Sequence, residues 1–357
     1  MDIGIIDADF IGRRNHRFPN LACMKIAGYH VGRGDQVKLL EGYENIESYD
    51  KVYVSKVFTD TKIPSSALEH DNVSCGGTGF KYDDADPLPN EIEHTMPYYD
   101  LYKDHVGAGA QWKFYRDYSV GFTTRGCFRH CQFCVNRNSD RSCRHSKLDE
   151  FVDNRRKKIC LLDDNVLACS EWREIFEELQ ATGKPFVYKQ GLDERLLTQE
   201  KCDVIFNSKY DGEYIFAFDD VDESELIIEK LKLIRKNTDR ACKFFLLCGY
   251  DRRGAYDHLF WENDIVDLFR RIEILIAFGC LPYVMRHENY KNSPYRGMYV
   301  NIARWCNQPS IFKKMSFLEF CEHPQNYESS CGRYFREYMA EQSYMQDKYL
   351  SMRFDGN

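Results

Sequence analysis

The stretch Tyr118-Ser-Val-Gly-Phe-Thr-Thr-Arg-Gly-Cys-Phe-Arg-His-Cys-Gln-Phe-Cys-Val135 decides how the rest of the chain is read. An apolar run leads into Cys127, Cys131 and Cys134, separated by three and then two residues. Thiolates so placed can hold three irons of a four-iron cube, a group that normally takes four cysteine ligands. A three-cysteine loop leaves one iron open to bind something else. A zinc knuckle, the competing assignment along with three unrelated buried cysteines, needs four tetrahedral ligands, usually as two C-x2-C pairs. Here only His130 sits inside the loop, and no second pair follows.

Composition limits the remaining possibilities. A chain of 357 residues, 43% of them hydrophobic, supports a buried core and two or three domains. No segment reaches the apolar length that spans a bilayer, and the N-terminus lacks a basic-then-apolar signal, so a cytoplasmic protein with no membrane partner is expected. Fifteen cysteines, an odd number in a long chain, fit reduced thiols better than a disulfide framework. A net charge of -7 excludes a protein that coats nucleic acid by bulk electrostatics.

Upstream of the cysteines, a strand at Asp2-Ile-Gly-Ile-Ile-Asp7 is followed by a loop with Arg13, Arg14, His16 and Arg17, then a helix over 20–33. Further strands are expected at 36–40, 51–57 and 72–74, which together give a parallel, Rossmann-like α/β sheet over 1–110. Cys75-Gly-Gly-Thr-Gly-Phe80 is either a glycine turn at a strand end or a loop that lets backbone approach an anion or another domain. Residues 88–102 read as a linker with a short helix. From residue 118 a second alternation has strands at 118–123, 158–162, 185–189, 214–218, 243–247 and 282–285, with helices at 170–182, 224–236 and 265–278.

The cysteine spacing, with Phe133 directly before the last cysteine, resembles the cluster loop of the radical S-adenosylmethionine (SAM) superfamily. The six βα units resemble its partial TIM-type barrel, assigned to 111–288, with a small helical C-terminal cap at 289–357. The resemblance implies a [4Fe-4S] cluster on Cys127, Cys131 and Cys134, with SAM as the ligand of the open iron. An electron passed through the cluster would cleave SAM and yield a 5′-deoxyadenosyl radical. The first sheet resembles the Rossmann-like cobalamin-binding domain of one subclass. Because D-x-H-x-x-G occurs nowhere in the chain, the expectation is a cobalamin-like fold without cobalamin.

In such barrels the chemistry lies at the C-terminal ends of the strands. Asp163, Asp164 and Asn165 end the second strand, where the superfamily binds the SAM ammonium; acids in a plain turn are the alternative. Arg195 follows the third strand and could pair with the SAM carboxylate, with Gln190 and Asp193 beside it, or Asp193 and Arg195 could simply pair with each other. Asp219 is placed for the ribose hydroxyls, although Asp220 could serve or one acid could cap a helix. Phe133 matches the residue that flanks adenine, while Tyr250 after Gly249 ranks low. Arg286 and His287 are either substrate contacts or loop residues. Cys306, Cys321 and Cys331 read as free thiols, and the basic and aromatic residues from 289 onward as the cap or, less favoured, a nucleotide-binding face.

The function expected from this resemblance is modification of an unidentified small molecule, nucleotide or peptide, with flavodoxin or ferredoxin as electron donor. The alternatives are a methyltransferase or methylthiotransferase of the same superfamily, which needs cobalamin or a second cluster, and a non-catalytic iron–sulfur protein.

Overall fold

The computed structural model describes residues 1–342, 345 and 347–354. By its internal contacts the chain divides into two compact units, 1–190 and 191–357. Within the first unit, buried Tyr99, Tyr102 and Tyr115 tie the first sheet to the segment that follows it. Tyr99 Oη accepts from Val120 N at 2.8 Å and donates to Phe151 O at 2.7 Å. Tyr102 Oη donates to Asp7 Oδ2 at 2.7 Å, and Tyr115 Oη to Phe18 O at 3.0 Å.

In the first unit, β1 (Asp2–Asp7) is a continuous apolar run because both of its faces are covered; Ile3, Ile5 and Ile6 are fully buried. A helical turn, α1 (Ala8–Gly12), follows directly. Then comes α2 (Leu21–Gly32), which starts where Asn20 Oδ1 accepts from Cys23 N at 3.2 Å and stops before Gly34, whose φ of +83° suits glycine. Strands β2 (Gln36–Leu39), β3 (Lys51–Ser55) and β4 (Val73–Gly76) complete a parallel sheet in the order β2-β1-β3-β4. The order reverses between β1 and β3, the switch point at which open α/β sheets form a crevice. The loops after those two strands, residues 12–17 and 58–62, line a crevice of about 710 Å³. Buried Asp9 links its walls: its carboxylate accepts from Val57 N at 2.6 Å and Thr61 Oγ1 at 2.5 Å, and its carbonyl from Arg13 N at 3.0 Å.

Short helices α3 (Asn90–Glu93) and α4 (Lys113–Arg116) lead to β5 (Tyr118–Gly121). The expected strand over 118–123 is shorter, because the chain turns into an antiparallel ladder two residues long, β6 (Thr124–Arg125) with β7 (Cys143–Arg144). No α-helix joins β5 to β8 (Lys158–Leu161) among the described residues; the cysteine loop takes that place. Next are α5 (Trp172–Ala181) and β9 (Phe186–Tyr188), which gives a parallel sheet in the order β5-β8-β9.

The second unit contains α6 (Gln199–Phe206), which the sequence reading missed, then β10 (Tyr214–Ala217), α7 (Ser224–Asn237), β11 (Cys242–Cys248), α8 (His258–Ala277) and β12 (Leu281–Arg286). Its sheet is parallel in the order β10-β11-β12. Trp261, Ile265, Leu268, Ile272 and Leu275 form one buried stripe of α8 at helical spacing. That helix starts seven residues before the expected 265, capped by Asp257 Oδ1, which accepts from Phe260 N at 2.8 Å. Its first turns carry exposed Leu259, which obscured the periodicity. The C-terminal region is helical as expected: α9 (Arg296–Cys306), α10 (Pro309–Phe312), α11 (Phe317–Glu322), α12 (Pro324–Tyr327), α13 (Ser330–Glu341) and α14 (Asp347–Ser351). Tyr295 and Trp305 are buried in this packing rather than displayed for stacking. No helix of the described residues is long and apolar enough to cross a membrane.

Candidate cluster site

The loop bearing Cys127, Cys131 and Cys134 is rooted between the ends of β5 and β8. Gly121 closes β5 because a Cβ there would lie 2.3 Å from the ring of buried Phe151. Thr123 and Thr124 follow, both fully buried, and both bind Asp163 at the end of β8. The Asp163 carboxylate accepts from Thr123 N at 3.0 Å, Thr123 Oγ1 at 2.5 Å, Thr124 N at 2.5 Å and Thr124 Oγ1 at 2.8 Å. Burial pushes this carboxyl up from its ordinary range, against the pull of the four donors. With its oxygens so engaged, Asp163 fixes the root of the loop.

Asp164 clamps the loop. Its Oδ2 accepts from Gly126 N at 2.8 Å, just before Cys127, and its Oδ1 from Asn136 Nδ2 at 2.5 Å, just after Cys134. Asn165 Nδ2 lies 3.5 Å from Cys127 Sγ, and Asn136 N lies 3.4 Å from Cys134 Sγ. Asp163, Asp164 and Asn165, read from sequence as a SAM contact, here support the cysteine loop. Among the described residues no three His, Cys, Asp or Glu side chains converge closely enough for a single metal ion. Three half-buried thiols with N–H donors aimed at two of their sulfurs suit an iron–sulfur cluster, whose thiolates are held and tuned by such hydrogen bonds. The donor set thus fits the cluster that the sequence implies.

Gly126 and His130 make the loop's tight turns, with φ of +91° and +48°. A Cβ on Gly126 would meet both Arg141 O and Ser139 Oγ at 2.3 Å. Gly126→Ala is expected to combine that clash with left-handed backbone strain, on the order of 1–3 kcal/mol, and to move Cys127. Anaerobic iron uptake falling well below wild type would bear this out; unchanged uptake would not.

On its upstream side the loop meets a charge cluster. Glu93 Oε1 lies 2.8 Å from Lys25 Nζ, 3.5 Å from His145 Nε2 and 3.7 Å from an Arg125 guanidinium nitrogen. His94 Nδ1 pairs with Glu150 Oε2 at 2.6 Å and stacks on His145 with ring centres 5.2 Å apart. Burial, and then the charge of Arg125, hold His145 down at about 4, so it is neutral near pH 7. Sequence reading missed this cluster because its members come from α2, α3, β6 and the β7 region, far apart in the chain.

Phe133 is half-buried in the loop, and Gln190 is exposed beyond the end of β9. Arg195 belongs to the second unit, where Asp193 Oδ1 holds its Nε at 2.8 Å and Glu223 Oε2 its guanidinium at 3.0 Å. The pairing of Asp193 with Arg195, weighed from sequence as the structural alternative, is thus present. Asp219 is half-buried and accepts from Leu247 N at 2.8 Å, and desolvation pushes its carboxyl up. Neighbouring Glu194, unforeseen from sequence, is buried and pushed up to about 8 by burial and then by Asp193. Tyr250 packs edge-on against His287, and Arg286 lies 4.6 Å from the Tyr290 ring centre. Cys306, Cys321 and Cys331 are buried free thiols.

No protein-family model and no curated protein matches the sequence. Solved structures do match. The radical SAM methyltransferase TsrM from Kitasatospora setae, solved with cobalamin and a [4Fe-4S] cluster bound, aligns over 80% of this chain and 72% of its own, with a TM-score of 0.52 at 12% identity. The cobalamin-dependent SAM radical enzyme OxsB, solved with aqua-cobalamin, aligns over 100% of this chain and 64% of its own, with a TM-score of 0.39 at 10% identity. The first match overturns the expectation that cobalamin is unlikely, because a protein of this fold carries it. The physical reason is that a crevice at a switch point is built by whole loops, so the missing D-x-H-x-x-G does not exclude the cofactor. The resemblance first read in the cysteine loop holds at the level of the fold: this chain has the α/β architecture of a radical SAM methyltransferase structure.

Proposed function

We propose that the chain is a radical SAM enzyme that acts on an unidentified small molecule, nucleotide or peptide. The observation that carries this reading is the loop of Cys127, Cys131 and Cys134, clamped at both feet by Asp164 and flanked by N–H donors to sulfur. When bound, the cluster supplies one electron to SAM, whose carbon–sulfur bond breaks to give methionine and a 5′-deoxyadenosyl radical. The three cysteines hold the irons, and Asp164 and Asn136 keep their spacing. Asn165, beside Cys127, is the residue proposed to receive the SAM ammonium, with Phe133 against the adenine and Gln190 available from β9. Arg195 and Asp219 already have partners within the second unit, so the SAM assignment rests on the first. An electron donor of the flavodoxin or ferredoxin type and a reducing, cytoplasmic setting fit fifteen free cysteines.

The test is anaerobic incubation of the iron-loaded protein with dithionite and SAM. The expected result is 5′-deoxyadenosine and methionine well above a Cys127→Ala/Cys131→Ala/Cys134→Ala control. Equal amounts in both samples would leave only a non-catalytic iron–sulfur protein.

One observation favours a second reading, methyl transfer through cobalamin: the crevice of about 710 Å³ between the loops that follow β1 and β3. Its His16, Arg13, Arg14 and Arg17 are the loop residues singled out from sequence. Cobalamin absorbance retained after gel filtration of the full chain would support this reading, and free passage of the cofactor would remove it.

A further inference from the structure

The segment Cys75-Gly-Gly-Thr-Gly-Phe80, left from sequence as either a turn or an approach to another domain, is anchored on the end of β3. Gly77 has a φ of +104°, and a Cβ on it would come within 2.4 Å of Lys56 O. Gly79 N donates to Lys56 O at 2.9 Å, and Thr78 Oγ1 to Val57 O at 3.0 Å. Phe80 packs against the apolar core of the first sheet. The next residues leave that sheet and reach the cysteine loop. Tyr82 Oη donates to Phe133 O at 3.0 Å, one residue before Cys134. The Asp83 carboxylate pairs with Arg137, and Asp83 O accepts from Asn138 Nδ2 at 3.2 Å. Arg137 passes this restraint back into the loop, donating to Gln132 O at 2.9 Å and accepting from His130 Nδ1 at 2.8 Å through its carbonyl.

Asp164 therefore holds the feet of the loop, while Tyr82 and Asp83 hold its C-terminal arm from Phe133 to Asn138. Tyr82 is 47% exposed, so its bond to Phe133 O is not a by-product of core packing. We propose that residues 76–86 form a strap that sets the geometry of the cysteine loop, with Tyr82 and Asp83 as positioning residues. The inference rests on the cluster reading above and assigns a role to a motif which that reading did not use.

The experiment compares wild type, Tyr82→Phe/Asp83→Ala and Asp83→Glu in two ways. Iron-free protein is exposed to trypsin, and cleavage after Arg129 and Arg137 is timed. Reconstituted protein is reduced, and its electron paramagnetic resonance spectrum is recorded with and without SAM. The double variant should melt within a few degrees of wild type yet be cut in the loop roughly fivefold faster or more, as local opening becomes easier. Its spectrum should broaden and lose the change that SAM causes, and Asp83→Glu, combined with the native tyrosine, should recover the wild-type spectrum. Equal cleavage rates together with superimposable spectra would overturn the strap. Should wild type take up no iron, the cluster reading fails, and the cleavage rates alone decide the strap: equal rates reject it.

Discussion

Asp163→Ala is expected to destabilise the first unit by about 3–5 kcal/mol, because it removes the acceptor for two buried backbone N–H groups, each costing roughly 1–3 kcal/mol when orphaned. The Thr123 and Thr124 hydroxyls can turn to other acceptors, but the two backbone N–H groups cannot. For a unit of this size the loss corresponds to a melting temperature lower by about 10 °C. Asp163→Asn keeps the volume but sets an NH2 group against a ring of donors, so most of the loss should persist. Asp164→Ala offers the contrast: this side chain is only partly buried, so its removal should cost less stability and more cluster. Calorimetry on the apoprotein measures the first effect and iron content the second. A melting temperature for Asp163→Ala within about 2 °C of wild type would contradict the assignment, since that shift corresponds to less than one lost interaction.

Glu93→Gln has the second largest expected effect. The Lys25 side chain is 4% exposed and that of Glu93 14%, so the mutation leaves an ammonium buried near Arg125 without its counter-charge. Breaking a buried pair from one side costs about 3–5 kcal/mol, and some water access places this one near the lower end. Burial already pulls Lys25 below the usual lysine range, with Glu93 opposing that pull. Replacing both partners, as in Lys25→Met/Glu93→Leu, should restore most of the stability, because paired apolar groups of similar volume substitute well for a buried ion pair. Urea unfolding of Lys25→Met, Glu93→Leu and the double variant gives the coupling energy directly. If Glu93→Gln alone costs under about 1 kcal/mol, Lys25 and Arg125 do not depend on it.

Much of the architecture was legible because its strands are apolar runs bounded by turns. β1, β5, β8 and β11 could be placed from residues alone, and the cysteine spacing marked the loop. The roles of Asp163, Asp164 and Asn165 were legible only in part. Position after β8 identified the trio, but nothing local reveals that Thr123, Thr124, Gly126 and Asn136 are its partners, since those contacts span 28–40 residues. Lys25, Glu93 and His145 were invisible for the same reason. The ties made by Tyr99, Tyr102 and Tyr115 were hidden too, since these look like an aromatic linker until their hydroxyls find partners at Phe151, Asp7 and Phe18. α6 was missed because its short sequence, Gln-Glu-Lys-Cys-Asp-Val-Ile-Phe, has too few apolar positions to show a period.

The clamp made by Asp164 bears on how metal enters the protein. A flexible ring of about ten residues costs on the order of 2 kcal/mol of chain entropy to close. Zinc fingers recover such a cost from the metal itself and stay unfolded without it. Here one carboxylate in the loop after β8 closes the ring between Gly126 and Asn136 with protein atoms alone. On the cluster reading proposed above, the ring is closed by protein contacts alone, so assembly of the cluster would be a filling step rather than a folding step.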